Sequence, residues 1–212
     1  MTVPRRTILA GLIGGWAARP ALAADPRDLA FRVLRNDGAI GTHAVTFTGG
    51  PNALTVRVAT DIKVGLGPIT LYRYTHRAEE QWRDGVFIAL DAETDDNGTI
   101  GRIRVRREAE SLRVEGPKAL SYQAPADALP LTHWNPAILK TPLISGQSGD
   151  LLRPAVRSVG IGRVVTAQGA IEADHYTMRG DPDLDTWYDG RSRWAGLRLT
   201  ARDGSIIRYE RL

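Results

Sequence analysis

The sequence predicts a mainly β protein: one curled antiparallel sheet, a half-barrel or open barrel, with a covering loop or short helix. Three observations predict it. Apolar and polar residues alternate with a period of two in one stretch after another, turn pairs containing Gly separate these stretches, and no helical repeat is long enough to compete. Short antiparallel strands with one apolar face must curl or pair to hide it.

The chain opens on a leader rather than a strand. Arg5 and Arg6 precede a short apolar run, Thr7 to Ala18, and Ala21-Leu22-Ala23 supplies the small-x-small pattern that a signal peptidase accepts. Pro4-Arg5-Arg6-Thr7-Ile8-Leu9 resembles the twin-arginine export motif, although Pro4 and Ala10 replace its usual flanking residues. Gly11, Gly14 and Gly15 keep the run mildly hydrophobic, and Arg19 stands close to the cleavage site. Both features suit the twin-arginine route. The run falls well short of the roughly 20 residues of a spanning helix. The expectation is therefore a signal peptide over 1–23, cleavage after Ala23, and a single β-rich domain over 24–212 in the periplasm, with no membrane span after cleavage.

Composition narrows the partners. The chain has 28 Lys plus Arg against 24 Asp plus Glu, but Arg5, Arg6 and Arg19 belong to the leader, so the mature balance is about +1. Nucleic acid is not an expected partner. With no cysteine, neither a lipid anchor nor a disulfide can form, and packing must hold the fold.

The strands follow in order. Leu29, Phe31 and Val33 alternate, and so do Val45 and Phe47, with His43 on the same face. In Leu54 to Val64 the even positions are apolar or Thr, whereas the odd ones include Arg57, Asp61 and Lys63. Gly65-Leu66-Gly67-Pro68 then marks a bend or bulge. Ile103 and Val105, Leu197 and Leu199, and Ile207 and Tyr209 continue the pattern. Turns are expected at Asp37-Gly38, Gly49-Gly50, Asp84-Gly85, Asn97-Gly98, Asp189-Gly190 and Asp203-Gly204. The stretch from Pro125 to Gly149 has another texture, rich in Pro and Gly, and reads as an excursion covering one mouth or edge of the sheet. His133 to Leu139 within it could make a helical turn or two.

Side-chain chemistry gives the hairpin around Asp84-Gly85 a register. A three-residue loop, Arg83-Asp84-Gly85, pairs Trp82 with Val86, Glu80 with Ile88, Ala78 with Leu90 and His76 with Ala92, which leaves Arg77 facing Asp91 and Arg73 facing Asp95 on the wet side. Tyr72, Tyr74, His76, Glu80 and Trp82 then share the inward face. Two of these are ionisable, and a buried Glu or His needs a partner. One reading is an aromatic-lined cavity in which His76, Glu80 and His43 fix a ligand. The other is a satisfied polar pair, Glu80 with a His or Arg of a neighbouring strand, in an ordinary core. His133-Trp134-Asn135 suits a binding lip, or else Trp134 anchors the excursion to the core.

Catalytic and metal motifs are missing. Asp181-Pro182-Asp183-Leu184-Asp185 opens like a calcium loop, but Thr186 stands where the loop needs Gly and Ser192 where it needs Glu. His43, His76, His133 and His175 show no zinc spacing, and Gly146-Gln147-Ser148-Gly149 misses the nucleophile elbow by one residue. No cofactor, metal or catalytic residue is assigned.

Several runs carry a resemblance: Tyr72 to Arg77, Glu80 to Gly85, Asp95-Asp96-Asn97-Gly98, His133-Trp134-Asn135-Pro136 and Asp183 to Asp189. In this order they resemble a family of exported proteobacterial proteins, domain of unknown function family 6134, from about Phe31 to Tyr209. A weaker likeness, through Trp187 to Gly190 and the following Leu197 and Leu199, is to another exported family of unknown function and to periplasmic lipoprotein carriers, whose sheet curls into a half-barrel over a helix. The resemblance implies no reaction, so no catalytic residue is carried over.

Two functions follow as expectations. The first is a non-catalytic binding or carrier module for a small-molecule, lipid or other envelope-derived ligand, with Tyr72, Tyr74, His76, Glu80, Trp82, His43, His133 and Trp134 as the ligand-binding residues. The alternative is an envelope glycan or ester hydrolase pairing Glu80 with Asp95, Asp183 or Asp185, which needs about 5 to 9 Å between carboxyl groups. The oligomeric state is not legible.

Overall fold

The computed structural model describes residues 27–66, 69–117 and 121–212. The expected leader over 1–23, and Gly67-Pro68 of the expected bend, lie outside the described residues. Eight strands come first: β1 (Leu29–Arg35), β2 (Gly38–Gly50), β3 (Ala53–Leu66), β4 (Ile69–Arg83), β5 (Val86–Asp96), β6 (Thr99–Arg107), β7 (Ser111–Glu115) and β8 (Ser121–Pro125). The excursion then holds β9 (Leu129–Pro130), a 3-10 turn over Pro136–Leu139, β10 (Leu143–Ile144) and β11 (Leu151–Leu152). Five strands close the chain: β12 (Ala155–Thr166), β13 (Gly169–Arg179), β14 (Leu184–Tyr188), β15 (Trp194–Thr200) and β16 (Ile206–Arg211).

One antiparallel sheet of 13 strands results, in the order β12-β13-β14-β15-β16-β1-β2-β3-β4-β5-β6-β7-β8, and it is not closed. From β1, in mid-sheet, the chain meanders outward to the β8 edge. The excursion then carries it across to the β12 edge, from which β13 to β16 meander back to β1. Its three short strands make a small sheet of their own, in the order β11-β10-β9. Ile138, Leu143 and Ile144 of the excursion are at most 1% exposed and pack into the same core as Phe31, Val45, Val56 and Leu90. Burial of each such side chain contributes about 2 kcal/mol. The connection between the two edges thus fills the inside of the curl.

The expected alternation holds, and bulges decide where it changes phase. Asp84 and Gly85 alone form the turn, both with positive φ (49° and 77°), so Arg83 pairs with Val86 and Trp82 with Phe87. This corrects the three-residue loop. A shift between Gln81 and Trp82 next brings Gln81 opposite Ala89, Glu80 opposite Leu90, Ala78 opposite Ala92 and His76 opposite Thr94. The extra residue of the bulge returns Leu90, Ala92 and Thr94 to the inward face, an end the longer loop would have met by another route. Outside, Arg77 stands opposite Glu93 and forks onto Asp61 at 2.8 and 2.9 Å, while Asp91 takes Arg106 at 2.7 Å. The expected contacts of Arg77 with Asp91 and Arg73 with Asp95 do not form. Two other turns shift slightly: Asn36-Asp37 and Pro51-Asn52 make the bends, because Gly38, Gly49 and Gly50 are still paired in the ladder. The bend after β3 does begin with a register shift between Val64 and Gly65.

Among the described residues, no helix is long and apolar enough to cross a membrane.

Candidate functional site

Four adjacent strands place one row of polar side chains on the inward face. His43 of β2 stands opposite Thr60 of β3, Thr60 opposite His76 of β4, and His76 opposite Thr94 of β5. Imidazole and hydroxyl alternate along this row. Thr60 Oγ1 lies 2.8 Å from His43 Nδ1, and Thr94 Oγ1 lies 2.8 Å from His76 Nδ1. Each hydroxyl occupies one ring nitrogen, which sets the ring's orientation.

The excursion brings the third imidazole. His133, just after β9, stacks on Trp194 of β15 with centroids 5.0 Å apart, and His43 meets the same indole edge-on at 5.3 Å. Tyr209 of β16 lies 5.3 Å from His43. Trp194 is itself held by donating its indole N–H to the Gly196 carbonyl at 2.9 Å. These side chains, with Tyr74, Leu131, Leu152, Leu184 and Leu197, line a cavity of about 260 Å³. Gly146 closes it against His76: a Cβ there would come within 3.4 Å of His76 Cε1, so the missing side chain lets the excursion pass close.

Burial governs the electrostatics. It pushes the His43 imidazole down to about 3, aided by His133 and His76, and the His76 imidazole down to about 4, aided by Arg77. Burial alone lowers His133 to about 4. The three rings are neutral at neutral pH. His133 Nδ1 is buried without a hydrogen-bond partner. Burial also pushes the Tyr209 phenol up to about 12 and raises that of Tyr74.

A second cluster, on the same strand, ties the excursion down. Glu80 is fully buried, and its carboxylate accepts three hydrogen bonds: from Trp82 Nε1 at 2.8 Å, Trp134 Nε1 at 3.1 Å and Thr132 Oγ1 at 2.6 Å. The partners are two indoles and a hydroxyl, not the His or Arg expected from sequence. Burial pushes Glu80 up to about 7, although all three donors favour its charged form. Trp134 packs edge-on against Trp82 at 5.3 Å and Phe47 at 5.4 Å. It is the anchor of the excursion rather than a lip.

The eight sequence-predicted residues therefore divide. His43, Tyr74, His76 and His133 line the cavity, whereas Glu80, Trp82 and Trp134 form the clip beside it. Tyr72 belongs to neither: its hydroxyl is raised to about 12 by burial and by the neighbouring Asp96. Sequence reasoning missed Thr60, Thr94, Thr132, Trp194 and Tyr209 as site residues. Thr60 could have been found from the alternation of β3, since it falls among the inward even positions, whereas Thr94 comes opposite His76 only through the bulge at Gln81/Trp82.

The carboxylates of the hydrolase alternative do not converge. Glu80 points inward, but Asp95 accepts the Gly98 N–H in an exposed turn, and Asp183 and Asp185 are ion-paired to Arg179 at 3.3 and 2.7 Å. Among the described residues, no group of three or more His, Asp or Glu side chains is arranged to hold a metal ion.

Fold and site together define a class: an open, curled β sheet whose own crossover segment plugs its inside above a cavity lined by neutral histidines. The chain belongs to the family described as Domain of unknown function (DUF6134), which matches residues 31–212. It is also similar to the crystal structure of a beta-barrel-like protein of domain of unknown function DUF1849 from Brucella abortus, with 10% identity and a TM-score of 0.62. That alignment covers 87% of this chain and 94% of the other, and at such identity the likeness is one of fold. No curated protein matches.

Proposed function

We propose that this protein is a non-catalytic binding module of the periplasm, exported by the twin-arginine route and cleaved after Ala23, that holds a small ligand inside the curl. The observation that carries the reading is the cavity between the His43-Thr60-His76 row and the Trp194 and Tyr209 rings, roofed by His133 of the excursion. Its lining mixes apolar and aromatic side chains with polar ones, among them His43, Thr60, His76, Ser145 and Gln147, and its volume of about 260 Å³ suits a compact molecule. Catalysis is not favoured, because the buried carboxylate has its oxygens committed to three donors and no second carboxylate faces it. A native mass spectrum of protein recovered from the periplasm of its own cell tests the reading. The expected species begins at Ala24 and carries an additional non-covalent mass. A bare polypeptide mass, or protein retained in the cytoplasm with its leader uncut, would refute the ligand or the export part respectively.

A further inference from the structure

The cavity does not end at Tyr74 and Gln147. These two side chains also line a groove of about 560 Å³ between the excursion and the hairpin of β5 and β6, so groove and cavity adjoin there as at a neck. Thr94, whose hydroxyl holds His76 Nδ1, lines the groove as well.

The charges along this cleft are of one sign. Asp96 and Asp150 line the groove and Asp181 lines the cavity, all three exposed, and among the described residues no Lys or Arg lines either space. On the outer face, by contrast, Asp61, Glu79 and Glu93 are each taken by an arginine. None of the three cleft carboxylates is ion-paired among the described residues; Asp96 accepts a hydrogen bond from the Tyr72 hydroxyl. A cleft lined by one sign of charge gathers ions of the other sign. An anion there would be repelled and would lose hydration without compensation. The histidines do not oppose a cation, because burial keeps His43 and His76 uncharged at pH 7. Arg77, which adjoins His76, lies on the outer face and is forked onto Asp61.

Just inside the neck an acceptor is open. His76 is 8% exposed, and its Nε2 has no hydrogen-bond partner among the described residues. A Cβ on Gly146 would stand 3.6 Å from that atom, so the glycine leaves it uncovered. With Nδ1–H donated to Thr94, Nε2 offers a lone pair, and a guest N–H that fills it recovers the cost of leaving it unpaired. Farther in, Leu131, Leu152 and Leu199 give the cavity an apolar side. Its volume of about 260 Å³ equals roughly nine waters at about 30 Å³ each, which limits a guest to a single ring or a short chain.

From these observations we propose that the cleft takes an organic ammonium ion with a short apolar body, the ammonium at the neck between His76 and the carboxylates of Asp96 and Asp150, the body inside the cavity. The proposal rests on reading the cavity as a ligand site, and its test separates the two. The purified protein is titrated at pH 7 and low salt with three probes of one shape: hexylamine, 1-hexanol and hexanoate, the first a cation and the last an anion at that pH. Calorimetry gives the affinities, and the His76 Cε1–H resonance reports whether a probe reaches the neck. Hexylamine should move that resonance and bind about tenfold more tightly than hexanol, the worth of two exposed ion pairs at a few-fold each, with hexanoate weakest. Added salt should shrink the margin. Asp96→Asn combined with Asp150→Asn, both at the surface, should bring hexylamine down to the level of hexanol and leave hexanol unchanged. Hexanol or hexanoate binding as tightly as hexylamine, or a margin that survives the double variant, would overturn the ammonium site while leaving the cavity as a ligand site. If no probe moves the His76 resonance, both proposals fall.

Discussion

Glu80 shows how a single side chain can be read correctly in position and wrongly in partner. Its alternation with His76 and Trp82 put it inside, and it is inside. Its partners were not legible, because two of the three come from a segment more than 50 positions away. Having donors but no cation changes what a substitution does. Gln at position 80 can still accept from both indoles with its carbonyl and donate to Thr132, so Glu80→Gln should fold at least as stably as the wild type above pH 7. Glu80→Leu strands two indole N–H groups and a hydroxyl, each costing about 1 to 3 kcal/mol. The pH dependence gives the sharper check. Glu80, raised from 4.5 to about 7, contributes stability that is present below pH 4.5 and is lost as pH rises through 7. His76 and His133, lowered from 6.5 to about 4, contribute in the opposite sense: stability present above pH 6.5 and lost as pH falls through 4, for His76 about 3 kcal/mol at the acid limit. Melting temperatures from pH 4.5 to 8 should therefore show Glu80→Gln gaining on the wild type as pH rises. A Gln variant that melts as low as Leu at pH 8 would mean that Glu80 has an ionic role the structure does not contain.

At the scale of elements, the strands were legible because one wet face imposes a period of two, and the hairpins because Asp-Gly and Asn-Gly accept positive φ. Bulges were harder. The one at Gln81/Trp82 moves Phe87 and Leu90 into the core on either side of Ile88, and the one opposite Trp187/Tyr188 puts both Trp194 and Leu197 inside despite their odd spacing. A period-two count run through either site assigns the wrong face, which is why Trp194 escaped notice. The excursion was legible as an excursion from its Pro and Gly content, but its place inside the curl depends on contacts such as Ile138 and Leu143 with the sheet, which no local pattern encodes. Trp134 should be its keystone. Trp134→Ala removes a donor from Glu80 and the ring between Phe47 and Trp82, at a cost of about 3 to 5 kcal/mol. Limited proteolysis of that variant should cut first within residues 131–149. A first cut in the hairpin between β3 and β4, with the excursion intact, would show that something else holds it down.

For the molecule as a whole, an open sheet of 13 strands solves the burial problem by curling around its own crossover, with no α-helix among the described residues. The outer face keeps rows of paired charges, Arg57 with Glu79, Arg77 with Asp61 and Arg102 with Glu93, and this polarity was visible as the wet face of the alternation. The inner face carries histidines, threonines and aromatics around a cavity that the curl leaves between β2–β4 and β14–β16. Sequence reasoning could expect a cavity inside a curled sheet. It could not foresee that His133 closes it, because that contact joins the excursion to β15 across the whole fold. The central claim is that this space is a ligand site, and the most direct measurement is a crystal structure of the protein purified from its own cell. The account predicts continuous non-protein density in the cavity bounded by His43, Tyr74, His76 and Tyr209. A cavity holding only isolated waters, or one collapsed by inward movement of the excursion, would contradict it.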